Sequence, residues 1–228
     1  MSTEMKRKRP WWLGWLPATI LSVVIVGVIV TTSLLVGGGL GAPLPSPTSG
    51  QVTDKNWSIF TPEGLAYIDA SRQVRIDFSR GPVDAAALGL HPDGSITIGP
   101  KDNGDVTLDY DLIVNGGAQG QGGDRFTVSQ LTIETAGGVI SRVSAPLSEV
   151  LNFRNTVDKL TKKAELFGWD VSGIDAIFAQ VEQATRDNVP YSFSFGPADA
   201  VGVPVAATAS CETTGYCVVE YDVTPTVR

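Results

Sequence analysis

Two hydrophobic periods divide the chain. From Leu16 to Val36 it carries 21 uncharged, mostly apolar residues, and no charged side chain occurs between Arg9 and Asp54. About 20 such residues cross a bilayer core as a helix, so this run predicts one transmembrane segment. Beyond residue 70 the apolar residues instead alternate with polar ones, the period of half-buried strands.

The alternation is clear at Gln73–Phe78, where Val74, Ile76 and Phe78 share a face. Turn signals at Asp93-Gly94 and Asn103-Gly104 introduce further strands. One of them places Val106, Leu108, Tyr110, Leu112 and Val114 together, opposite Thr107, Asp109 and Asp111. The loop Gly116–Gly123 leads to a strand over Phe126–Thr135, and Val139–Val143 pairs back across Ala136-Gly137-Gly138. The period then changes to 3.6. Leu147, Val150, Val157, Leu160, Ala164 and Phe167 follow helical spacing, with Pro146 at the first position and Gly168 past the last. A second helix is expected from Ser172, capped through Ser-x-x-Asp, and Asn188-Val189-Pro190 stops it. Tyr191, Phe193 and Phe195 resume alternation. Val201, Val203 and Val205 follow in a strand that Pro204 assigns to an edge, and Val218–Val223 closes the fold. Trp57–Ala70 shows neither period and is left unassigned.

This order predicts an α+β fold: a mainly antiparallel sheet with two consecutive amphipathic helices on one face, preceded by one transmembrane helix. Four parts are expected. Residues 1–10 form a basic tail, 11–36 the membrane helix, 37–52 a Gly/Pro-rich linker and 53–228 an acidic domain. Lys6, Arg7, Lys8 and Arg9 flank the apolar run on one side only, which places the N-terminus in the cytoplasm and the domain outside. Trp11, Trp12 and Trp15 fit an interfacial aromatic belt. A cleaved signal peptide is the competing reading, but the run is longer than the usual apolar region of a signal, and Pro43 follows its one small-residue exit, Gly39–Ala42.

Charge narrows the partners. Past residue 10 the chain keeps 13 basic against 23 acidic residues, a formal charge of −10. Such a domain is repelled by phosphate backbones, which argues against nucleic acid. Cys211 and Cys217, with five residues between them including Gly215, suit opposed positions of a hairpin and predict a disulfide. Closing so short a loop removes about 2.4 kcal/mol of unfolded-state entropy. A nucleophilic thiol would be trapped by the second cysteine.

Other chemistry is sparse. His91 is the single histidine and precedes the turn Pro92-Asp93-Gly94, which excludes a multi-histidine zinc site. Gly116–Gly123 is followed by a strand rather than a helix and lacks Gly-Lys-Ser/Thr, so it is not a phosphate loop. Asp102, Asp105, Asp109 and Asp111 form the densest acidic cluster and a weak calcium candidate without EF-hand spacing. Nothing in the spacing of Glu63, Glu134 and Glu149 selects a catalytic pair. The aromatics Phe153, Phe167, Trp169, Phe178, Tyr191, Phe193 and Phe195 suit a core, or a cavity for an apolar ligand between sheet and helices. The expectation is a single-pass, non-catalytic binding or assembly module of the cell envelope, without cofactor, engaging a protein or envelope partner. The alternative is an envelope carrier of lipid or another hydrophobic ligand. An envelope hydrolase or transferase has least support.

Overall fold

Backbone pairing sorts the strands into unequal sheets. The computed structural model describes residues 46–103, 106–117 and 124–225. Its helices are α1 (Pro62–Ser71), α2 (Phe153–Phe167) and α3 (Ile174–Asp187). Its strands are β1 (Gln73–Asp77), β2 (Gly94–Ile98), β3 (Lys101–Asn103), β4 (Val106–Leu108), β5 (Tyr110–Asn115), β6 (Asp124–Val128), β7 (Leu131–Ala136), β8 (Val139–Pro146), β9 (Leu151–Asn152), β10 (Tyr191–Ala198), β11 (Val205–Cys211) and β12 (Tyr216–Val223). The larger sheet runs β10-β11-β12-β8-β7-β2, with β9 also on β12; the smaller runs β1-β5-β6, and β3 pairs with β4. The fold is α+β and mostly antiparallel, as the alternation predicts. Among the described residues no helix is long and apolar enough to cross a membrane; the expected anchor over 11–36 and the tail over 1–10 lie outside them.

The two sheets share one core. β12 turns Val219, Tyr221 and Val223 inward, and α2 lays Val157, Leu160, Ala164 and Phe167 into the same cluster. The smaller sheet adds Val74, Ile76, Leu112, Val114 and Phe126. Phe126 joins the layers: its ring lies 5.9 Å from Phe167 and 4.8 Å from Tyr221. Each large apolar side chain so buried contributes roughly 1.5–3 kcal/mol. The larger sheet's other side is polar, with hydroxyl pairs Ser194–Thr208 and Thr97–Thr132, each at 3.0 Å. Arg142 sits there among Asp222, Glu134 and Glu220. Burial works against its charge, but the bond and charge of Asp222 prevail, helped by Glu134 and Glu220, and its pKa is raised.

Several local expectations need correction. Helix α2 begins at Phe153 rather than Pro146, because the Leu147 N–H donates to the Val219 carbonyl and keeps that segment in the sheet. Asn152 caps the helix, accepting from the Asn155 N–H at 2.9 Å. Ser172 does not cap α3. Its N–H and hydroxyl donate to Asp170, and Gly173 occupies the cap position without a side-chain bond. The strand drawn from 106 to 114 is interrupted at Asp109; β4 folds back on β3, while β5 runs parallel to β1 with Gln73 opposite Asp111. Phe126–Thr135 likewise divides, giving β6 to one sheet and β7 to the other. Val201 and Val203 are buried in a turn. β11 starts after Pro204 and is an interior strand, not an edge. The unassigned stretch holds α1, started by Thr61, whose hydroxyl oxygen accepts from Gly64 N–H, and by Pro62 at the first turn. Gly64 is required there: a Cβ would lie 1.9 Å from the Ile59 carbonyl oxygen.

Candidate functional site

The sequence-predicted candidates do not converge. Cys211 and Cys217 pair across β11 and β12 and form a disulfide. Of the acidic cluster, Asp105 lies outside the described residues and Asp109 is exposed between β4 and β5. Asp111, on β5, accepts from Arg125 Nε at 2.8 Å, from the same guanidinium's Nη2, and from Thr127 Oγ1 at 3.4 Å. Asp102 lies on β3, and among the described residues no group of three or more His, Cys, Asp or Glu is arranged to hold a metal. His91 is exposed, its Nδ1 3.1 Å from the Asp93 carbonyl oxygen. Glu134 faces Arg142 and Glu149 accepts from Lys159, while Glu63 stands in the first turn of α1; they form no pair. Of the glycine-rich loop, Gly116 packs so closely that a Cβ would meet the Val201 carbonyl oxygen at 2.1 Å; residues 118–123 lie outside the described residues.

The C-terminal aromatics stack on one another. Phe167 and Trp169 lie 4.7 Å apart, Trp169 and Phe195 5.9 Å, and Phe153 makes edge contacts with Phe178, Tyr191 and Phe193. Trp169 Nε1 donates to the Val205 carbonyl at 2.8 Å, so the one polar atom of that indole is satisfied within the core. Of the two readings of these aromatics, a core or a cavity for an apolar ligand, the ring contacts fit the core.

A cleft of about 470 Å³ lies elsewhere, between the turn at 53–57, strand β1 and the loop at 80–88. Its size falls within the range of small-ligand sites. Each wall is fixed by backbone bonding. The Thr53 N–H donates to the Trp57 carbonyl, Asn56 N–H to Thr53, and Thr53 Oγ1 accepts from Trp57 N–H, which closes a tight turn with Asn56 at φ 63°. Ser58 then ties the turn to β1: its N–H donates to the Arg75 carbonyl at 3.0 Å and its hydroxyl oxygen accepts the Arg75 N–H at 2.9 Å. The far wall is held by Phe60 N–H on the Leu88 carbonyl and by Ile140 N–H on Val83. The cleft residues thus sit on three segments that the chain has stitched together.

The lining is mixed in a consistent way. Ile76, Val83, Ala87, Leu88 and the Trp57 indole supply apolar contact; Lys55, Arg75 and Arg80 supply cations. Among the described residues none of these three cations has a carboxylate partner; Arg75 Nη2 donates to Gln73 at 2.7 Å. Asp77, by contrast, is already engaged, its Oδ1 accepting from Ser79 N–H and Asn115 Nδ2. Trp57 Nε1 is buried with no hydrogen-bond partner. An indole N–H only donates, so whatever satisfies it must accept.

A second orphan donor, Arg72 Nη1, belongs to a structural cluster. Arg72 ends α1 in the left-handed region at φ 57° and lies over the Tyr110 ring at 5.0 Å. The Tyr110 hydroxyl and Lys101 both donate to Asp69. The Lys101 hydrogen bond holds the Asp69 carboxyl below its usual range, outweighing its partial burial. Burial raises Tyr110, and Asp69 raises it further.

Sequence reasoning missed the cleft. Arg75 and Asp77 were visible only as the polar face of a strand, and Trp57 lay in the unassigned stretch. One signal was available: residues 54–80 hold four basic and four acidic side chains in an otherwise strongly acidic domain. No family model matches this chain, and no curated protein or solved structure matches it either.

Proposed function

We propose that this chain is a membrane-tethered, extracytoplasmic binding module of the cell envelope, non-catalytic, with the cleft between the 53–57 turn and the 80–88 loop as its recognition element. The observation that carries this reading is the pairing of an apolar floor with three cations that form no ion pair among the described residues, although Asp54 and Asp77 line the same cleft. A binding site needs those two features; a reaction centre needs more. The lining includes no histidine, cysteine or serine, and the Asp77 carboxylate is already held by two N–H donors. The tether is read from Leu16–Val36 and its basic flank, and the Cys211–Cys217 disulfide supports an oxidising compartment for the domain.

The carrier reading draws on the same cleft. Its apolar floor suits a hydrophobic ligand, whereas the aromatics beneath α2 are taken up by contacts with one another. Native mass spectrometry of the full chain, extracted from its own membrane in detergent, tests both readings. The expected result is a noncovalent mass that leaves on gentle activation and is absent from a Arg75→Gln/Arg80→Gln variant. A chain that emerges bare, with external protease unable to reach the domain in intact spheroplasts, overturns the proposal.

A further inference from the structure

We infer that the cleft takes an amphiphilic oxyanion, a carboxylate or phosphate group carried on an apolar body; the inference rests on the cleft being the recognition element. Three observations converge on that chemistry. The first is Trp57, whose indole lines the cleft and gives an occupant an apolar ring to lie against, while its Nε1 is sealed from solvent.

The second is the state of the arginines. Arg125, Arg142 and Arg186 each face a carboxylate at the surface. Arg75 and Arg80, with Lys55 beside them, face none among the described residues, although the domain carries 23 acids against 13 bases. Guanidinium groups present paired donors that match carboxylate and phosphate oxygens. Two carboxylates, Asp54 and Asp77, also line the cleft, so three cations against two anions leave it a formal charge of +1 in a domain that is negative overall, and Asp77 Oδ1 is turned to Ser79 and Asn115.

The third is the floor. Val83, Ala87 and Leu88 offer apolar contact that an inorganic anion would leave unused. The domain's overall negative charge opposes any anion at long range, so the contacts of the arginines and the apolar burial on the floor must outweigh it at short range. An oxyanion joined to hydrocarbon matches the indole face, the arginines and the floor together.

The test uses the full chain in nanodiscs of neutral phosphatidylcholine, titrated with decanoate, decyl phosphate, decanol and inorganic phosphate, with empty nanodiscs subtracted. Decanoate and decyl phosphate are expected to bind about tenfold or more tightly than decanol or inorganic phosphate, the factor for one charge-assisted hydrogen bond. The Arg75→Gln/Arg80→Gln variant should lose about tenfold or more in decanoate affinity. Should the double variant unfold, Arg80→Gln alone, on the exposed loop, carries the same expectation. Decanol binding as tightly as decanoate, or inorganic phosphate as tightly as decyl phosphate, overturns the inference but leaves a binding cleft standing. No binding by any probe, together with a chain bare of native ligand, removes both. Nanodiscs doped with phosphatidic acid separate the sources. Competition with decanoate there assigns the ligand to the bilayer, and undiminished decanoate binding assigns it to free amphiphile.

Discussion

Ser58 and Arg75 exchange hydrogen bonds in both directions, side-chain oxygen to backbone N–H at 2.9 Å and backbone to backbone at 3.0 Å. They stand 17 residues apart, and the contact is what closes the turn at 53–57 onto β1 and so makes one side of the cleft. Ser58 is 4% exposed. Ser58→Ala therefore strands the Arg75 N–H in a buried setting, and a loss of about 1–3 kcal/mol is expected. Urea titration followed by tryptophan fluorescence reads it; an unchanged midpoint would show that the turn is held by its own bonds alone.

The disulfide gives a second prediction. Cys211 and Cys217 face each other in the register of β11 and β12, so the bond closes a hairpin that the ladder already aligns. Cys211→Ser/Cys217→Ser should lower stability by about 2 kcal/mol through the unfolded chain. Reductant should shift the parent's urea midpoint by the same amount and leave the variant's where it is.

Acid and base act on one cluster from opposite sides. The Lys101 hydrogen bond chiefly depresses Asp69, with the Tyr110 hydroxyl adding to it. A depressed folded pKa means stability that is present above the ordinary carboxylate value, about 3.9, and is lost as pH falls through the folded one. Tyr110 is raised, by burial first and then by Asp69, so its contribution is present below about 10 and lost as pH climbs past that. Melting temperatures from pH 2 to 11 should show the parent's advantage over Asp69→Asn at neutrality shrink below pH 4. An advantage that persists at pH 2 would exclude the carboxylate as its origin.

Trp169 is a core residue with one polar duty. It is 5% exposed and donates to the Val205 carbonyl at the start of β11. Trp169→Phe leaves that carbonyl without the indole and opens space beside Phe167 and Phe195, which predicts a loss of about 1–3 kcal/mol. A change of only a few tenths in the unfolding free energy would mean that the aromatic stack, rather than the hydrogen bond, is what the site requires.

The strands were legible because one-sided burial imposes a period of two on the sequence, as in Tyr110, Leu112 and Val114. What the alternation leaves open is the partner. Nothing local distinguishes β5 pairing parallel to β1 from a simple meander, and the division of Phe126–Thr135 between two sheets rests on a kink at Ser129-Gln130. Leu147 and Val150 imitate helical spacing by coincidence, since the N–H of one donates to Val219 of β12 and the other is exposed in the irregular stretch before β9. Helix α1 buries only Gly64 and Ile68, too little to produce an apolar stripe; its legible mark was Thr61-Pro62, a cap followed by a first-turn proline. The cleft was the least legible feature. It gathers segments centred near residues 55, 76 and 84, and a sequence cannot show that an arginine lacks a partner.

Strand β12 lies in the middle of the larger sheet, between β11 and β8, yet is synthesised after every other described strand. Until Tyr216–Val223 has left the ribosome, β10-β11 and β8-β7-β2 have no shared strand, and β11 and β8 each expose an unpaired edge. Completion of the larger sheet thus waits until β12 has been made. A premature stop after Gly215 deletes the joint of the molecule, leaving two sticky ribbons in place of a shortened protein.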